Sequence, residues 1–284
     1  MIGRLLGRLV TGIRVVRNGI EYPMRGAMRI RRPIDQVIPA GLASALEELG
    51  ADTRSRAHDL IHRFSLTDLV NRGRRHDILE NLYYLELLIH AFDRGHVTLP
   101  RSQLEAIDVG VSDWFYAPAL SAALQHWQPA FMQTVDSPSA ARQVRALGFE
   151  ADPNRLHADG HSRADWADWY TRELPGLSYL PTDFRLWAGT ADVATMFFPF
   201  VFATDSDRWG LPRSLFHPTD LLQHVLDQLR PGGVLVIANQ GENEADAQRA
   251  MLRSLRAEPV YSDRFESPFW SYELPRYVHA VIKR

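Results

Sequence analysis

The chain has 284 residues, 45% hydrophobic and 10% aromatic, with a net charge of −2 and no cysteine. It can bury a substantial core, and its charge argues against a nucleic-acid partner held by bulk positive potential. The missing cysteines exclude disulfides, thiolate nucleophiles and Cys-ligated metal sites, and fit a cytoplasmic protein.

No apolar run approaches the roughly 18–20 residues that span a bilayer. Arg4, Arg8 and Arg14 interrupt the apolar positions of the amino terminus, unlike a signal peptide. Residues 1–34 are strongly basic, with Arg17, Arg25, Arg29, Arg31 and Arg32 added to those three, against the single acid Glu21. Leu5, Leu6, Leu9, Val10 and Ile13 recur at helical spacing and predict an amphipathic helix. Such a helix packs its stripe on the rest of the protein or on a second copy, as a homodimer. The alternative is contact with a membrane surface or an acidic partner. Packing is the commoner use.

Residues 38–98 read as helical. Leu42–Leu49 is one helix, ended by Gly50; Arg56–Leu69 is a second. His76–Phe92 is a third, with Ile78, Leu82, Leu85, Leu88 and Ile89 on one face and Gly95 past its end. His58 and His62 have the spacing of helix metal ligands, but no acidic partner completes a motif, so no metal is expected. Residues 1–99 are expected to form a helical region that caps or dimerises, and 100–284 a separate α/β domain.

After Pro100 the period changes. Strands are expected at Leu104–Val109, Ala141–Glu150, Leu177–Pro181, Asp192–Phe197 and Val234–Ala238. Helices are expected at Tyr116–His126, Arg163–Leu174, Thr219–Leu229 and Asp246–Leu255. An insertion is expected near 127–140. Val234–Ala238 is apolar throughout, as a strand buried on both faces requires. Pro231-Gly232-Gly233 reads as a helix stop. Glu258–Ser262 and Tyr277–Ile282 suit a terminal antiparallel pair. His157 and His161 are separated by Gly160 and lack a third ligand, so a surface turn with Arg155 and Arg163 is expected there. Trp209-Gly210-Leu211-Pro212 and His217-Pro218 form a long loop of the kind that covers sites in such folds.

The stretch Ala106–Trp114 reads as a buried strand running through Asp108 into a tight turn at Gly110. A nucleotide-like cofactor binds at the carboxyl end of such a first strand. Ile107-Asp108-Val109-Gly110-Val111-Ser112 resembles the first motif of class I S-adenosylmethionine-dependent methyltransferases, an acid followed by glycines. Glu150 matches that family's acid after strand two, and Asp183-Phe184 its acid–apolar pair after strand three. Leu229-Arg230-Pro231-Gly232-Gly233-Val234-Leu235 matches the run before strand five. The resemblance covers about residues 100–284. It implies an α/β, Rossmann-like, seven-stranded methyltransferase sheet behind the amino-terminal helical region.

The resemblance also implies S-adenosylmethionine as cofactor and methyl transfer to a small-molecule acceptor. Glu150 would hold the ribose hydroxyls, Asp183 and Phe184 the adenine, and Asp108 the methionyl ammonium. Gly110, Ser112 and Trp114 complete the first loop. Only Gly110 remains of the family's two or three glycines, and Ser112 and Trp114 stand where others would be. A methyltransferase-like scaffold or regulatory partner without catalysis is therefore the alternative. Phe200 and the polar run after strand five, with Asn239, Gln240 and Glu242, are the substrate-side candidates. Glu242 and His217 are the candidate bases.

Overall fold

The computed structural model describes residues 2–100, 102–129 and 142–284. Helices α1 (Ile2–Met28), α2 (Leu42–Leu46), α3 (Ala51–Arg63), α4 (Thr67–Arg72) and α5 (Arg75–Arg94) precede the first strand. Then come β1 (Gln103–Val109), α6 (Ala117–His126), β2 (Gln143–Phe149), α7 (Arg163–Thr171), β3 (Leu177–Leu180) and β4 (Ala191–Phe197). The chain closes with α8 (Ala203–Trp209), α9 (Pro218–Gln228), β5 (Leu229–Gln240), α10 (Gly241–Ser254), β6 (Tyr261–Phe265) and β7 (Arg276–Ile282). The expected insertion near 127–140 lies mostly outside the described residues, as does Ala141.

The strands form one sheet in the order β3-β2-β1-β4-β5-β7-β6. β1 through β5 pair in parallel, and β7 runs antiparallel to both β5 and β6. This is the class I methyltransferase topology expected from the sequence. β1 lies at the point where the order reverses, between β2 and β4, so a crevice opens at the carboxyl ends of these strands.

Both faces of the sheet are covered. On one, Ile107, Leu235 and Ile237 pack with Leu222, Val225 and Leu226 of α9 and Leu252 of α10. On the other, Ala106, Val236 and Val278 share a core with Leu82, Leu85 and Leu88 of α5 and Leu120 and Leu124 of α6. α5 is thus a layer on the sheet itself, and the helical region shares that continuous core. Its apolar stripe, legible at helical spacing, is what the sheet covers.

Several boundaries differ from expectation. The helix expected at 56–69 is two helices, because Ser65 sits at φ 55° and ends the first. Pro231-Gly232-Gly233 lies inside β5, beside a register shift between Ala191 and Val193, and α9 already ends at Gln228. The last antiparallel pair begins at Tyr261 rather than Glu258.

Gly148 of β2 is fixed by packing. A Cβ there would stand 2.8 Å from the Trp114 ring, which is wholly buried and anchored by its own hydrogen bond. Gly148→Ala should therefore destabilise by about 1–3 kcal/mol through overpacking. Urea unfolding measures this; an unchanged midpoint would mean that Trp114 is free to move.

Candidate functional site

The loop after β1 takes three left-handed positions in alternation: Gly110 at φ 80°, Ser112 at 55° and Trp114 at 54°. A side chain in that region costs on the order of 1–3 kcal/mol unless its surroundings hold it. Here they do. The amides of Gly110 and Val111 donate to Phe149 O at 2.9 and 3.1 Å, and Ser112 N–H donates to Glu150 Oε2 at 2.8 Å. Tyr179 Oη donates to Ser112 O at 3.0 Å, and Trp114 Nε1 to Asp108 Oδ2 at 2.8 Å. Of the three left-handed positions, one is a glycine.

A cavity of about 540 Å³ opens beyond this loop, at the carboxyl ends of β1, β2, β4 and β5. Gly110, Ser112, Glu150, Asp183, Phe184, Phe200, His217 and Gln240, all singled out from sequence, line it together. Asp108, Trp114, Asn239 and Glu242 do not. Trp114 neither blocks nor walls the cavity, because its ring turns back onto Gly148. Asp108 is fully buried beneath the loop, and burial pushes its carboxyl up to about 6 against the hydrogen bond from Trp114 on Oδ2, while Oδ1 has no partner among the described residues. Asn239 is fully buried at the end of β5. Of the polar run expected as a loop, Asn239 and Gln240 close β5 and the rest opens α10, so Glu242 faces solvent from the first turn of a helix, where an acid suits the helix dipole.

Glu150 is held on both oxygens. Oε1 accepts from Asp152 N at 2.7 Å and from Arg163 at 3.0 Å in a buried ion pair, while Oε2 accepts from Ser112 N. A carboxylate has about four acceptor sites, so roughly one remains open. Asp183 caps the short turn Phe184–Leu186 and pairs with Arg185. Burial raises its carboxyl, but the bonds from Arg185 outweigh this and hold it below the ordinary range. Phe184 is buried edge-on to Phe149, with ring centroids 4.9 Å apart.

The far end of the cavity is aromatic and comes from elements the sequence did not mark as functional. Glu80 and Tyr84, one turn apart on α5, meet Tyr272 and Arg276 from around the start of β7. Tyr272 Oη donates to Glu80 Oε1 at 3.0 Å. Burial, aided by Asp77 and Asp113, pushes Glu80 up to about 7. The Arg276 guanidinium lies over the rings of Tyr272 and Phe198, 4.0 and 4.6 Å from their centroids. It is mostly buried, its Nε has no partner, and no carboxylate among the described residues stands within ion-pair distance. The available signal was an acid on the apolar helix face that also carries Tyr83 and Tyr84.

The roof is Trp209, Leu211 and Phe216 with His217. Trp209 lies under the guanidinium groups of Arg155 and Arg163, at 5.4 and 4.8 Å. α8, absent from the sequence reading, carries this loop. His157 pairs with Asp113 and His161 with Asp159. Among the described residues, no group of three or more His, Cys, Asp or Glu side chains is placed to hold a metal.

No family model matches the chain, and no curated protein matches it in sequence. Solved structures resemble it. Magnesium protoporphyrin IX methyltransferase from Synechocystis, with bound S-adenosylmethionine, is 8% identical, covering 86% of this chain and 95% of that one, at a TM-score of 0.45. The N-methyltransferase NodS from Bradyrhizobium japonicum is 12% identical over 71% of this chain and 94% of its own, at 0.43. A SAM-dependent methyltransferase from Aquifex aeolicus is 12% identical over 65% and 85%, at 0.40. Likenesses this distant assign neither activity nor substrate.

Proposed function

We propose that the protein transfers a methyl group from S-adenosylmethionine to a small acceptor with an apolar body and an acidic group. The observation that carries this reading is one cavity at the sheet's switch point, with acid-bearing loops at one end and Glu80 and Arg276 at the other. Its volume of about 540 Å³ falls in the usual range for small-molecule sites.

The residues present fit the cofactor. A Cβ on Gly110 would meet open space, so the turn leaves the floor clear for close approach. Ser112 is small, Glu150 keeps an acceptor site, and Asp183 with Phe184 offers an acceptor beside an apolar ring. When bound, the cofactor supplies a methyl on a sulfonium, which is already a good leaving group. The chain's task is to align the acceptor and exclude water. Phe198, Phe200 and Tyr84 wall the acceptor. Arg276 holds its anionic group, since a buried guanidinium with no carboxylate among the described residues beside it carries a cost that an anionic ligand relieves. Glu80 takes the proton of the atom that becomes methylated.

Incubation with methyl-labelled S-adenosylmethionine and a panel of apolar acids that also carry a hydroxyl or amino group, the atom whose proton Glu80 takes, tests this. Label should enter an apolar acid and not its uncharged amide; transfer to neither would contradict the reading. With the acceptor in hand, kcat/KM should rise with pH through about 7 as Glu80 loses its proton. Glu80→Gln should flatten that limb and lower kcat by about a hundredfold. An unaltered profile would remove Glu80 from the proton transfer.

A further inference from the structure

α1 is amphipathic with its polar side turned inward. Asn18, wholly buried, donates to the carbonyls of Asp207 and Leu211 at 2.8 and 3.2 Å. Tyr22 Oη donates to Ala151 O at 2.7 Å. Arg25 forks onto Asp152 at 3.0 and 2.8 Å and reaches Gly210 O. These contacts lay the helix across the cavity roof and the end of β2. The opposite face carries Val10, Ile13, Val16, Ile20, Met24 and Met28, each at least 50% exposed. Water-soluble surfaces rarely leave so continuous a stripe uncovered. Gly12, Gly19, Gly26 and Pro23 also give the helix little propensity of its own, so its order depends on what it touches.

We infer that this outer face docks on an anionic lipid surface. Charge selects the occupant. Residues 1–34 carry eight arginines against one glutamate, while the whole chain is at −2. Arg25 and Arg31 are paired with Asp152, Asp165 and Asp168 of the body, and the remaining arginines still leave a basic segment on a body of opposite sign. Arginines bordering an apolar stripe are what an interfacial helix needs to sit at a bilayer with acidic headgroups. A second copy is the competing occupant, and the row Gly12, Gly19, Gly26 would permit close helix approach. Pairing two such helices, however, brings two arginine-rich segments together. No helix of the described residues is long and apolar enough to cross a membrane, so the contact is peripheral. Because the inner face holds the roof, the bilayer lies on the side of the cavity that α1 covers. The inference does not depend on methyl transfer.

Co-sedimentation of the full chain with vesicles tests it, comparing phosphatidylcholine alone with a mixture containing phosphatidylglycerol. The protein should pellet with the anionic vesicles at least about tenfold more strongly, and less so at high salt, as screening dictates. The triple variant Ile13→Asn, Ile20→Asn, Met24→Asn should lose this binding while keeping its thermal unfolding midpoint, because those side chains hold no part of the fold. Two results would overturn the inference. One is a protein that stays in the supernatant with both vesicles. The other is a dimer in sedimentation equilibrium that the triple variant converts to a monomer.

Discussion

Glu150→Ala should cost about 3–5 kcal/mol of stability, because it strands the buried Arg163 guanidinium without its carboxylate. Both partners of that pair are almost wholly buried, and the same carboxylate also takes the amides of Ser112 and Asp152. Losing it frees the left-handed loop after β1 at the point where the cofactor is expected. Glu150→Gln keeps the shape and most of the hydrogen bonding, so it should stay folded and isolate the effect on binding. Losing a charge-assisted bond of about 1.5–3 kcal/mol should weaken S-adenosylmethionine by tenfold or more. Urea unfolding and calorimetry read the two effects separately. Unchanged stability of the Ala variant would mean that the ion pair contributes nothing. Unchanged affinity of the Gln variant would take the end of β2 out of the cofactor site.

Asp108→Asn should stabilise the protein at pH 7.5 and leave it nearly unchanged at pH 4. Burial raises this carboxyl from 3.8 to about 6. A carboxyl raised on folding is penalised in its charged form. The stability is therefore intact below about pH 4, falls as pH rises through the folded value, and stays lowered above it. The difference of roughly two pH units corresponds to about 3 kcal/mol. Asparagine can still accept from Trp114 Nε1 and can offer its amide to the hydroxyls of Thr195 or Tyr116. Thermal unfolding at the two pH values measures the gain. A loss confined to pH 7.5 would show that the negative charge is needed where it is, and an equal loss at both would show that asparagine does not fit the site.

The sheet was legible because strands buried on both faces read as unbroken apolar runs, as in Val234–Ala238. The acids Glu150 and Asp183 were legible through the family resemblance: Glu150 directly follows β2, and Asp183 lies just beyond β3 at the cap of a short turn. α8 was not legible, since Ala203–Trp209 is mostly polar and carries no apolar period. The start of α10 was masked by Asn239-Gln240-Gly241, a sequence of turn formers. The direction of Trp114 depends on Gly148, a residue distant in sequence that no local pattern connects to it. Glu80 and Arg276 lie far apart in the chain, and only the layering of α5 on the sheet brings them to one cavity. The stripe of α1 was visible, but its docking was not: the helix is held through Asn18, Tyr22 and Arg25 rather than through its apolar side.

Titration calorimetry with S-adenosylhomocysteine tests the central claim most directly, because it needs no knowledge of the acceptor. A single site with micromolar affinity is expected, weakened in Glu150→Gln and in Asp183→Ala. No heat of binding from either S-adenosylhomocysteine or S-adenosylmethionine at millimolar concentration would contradict it.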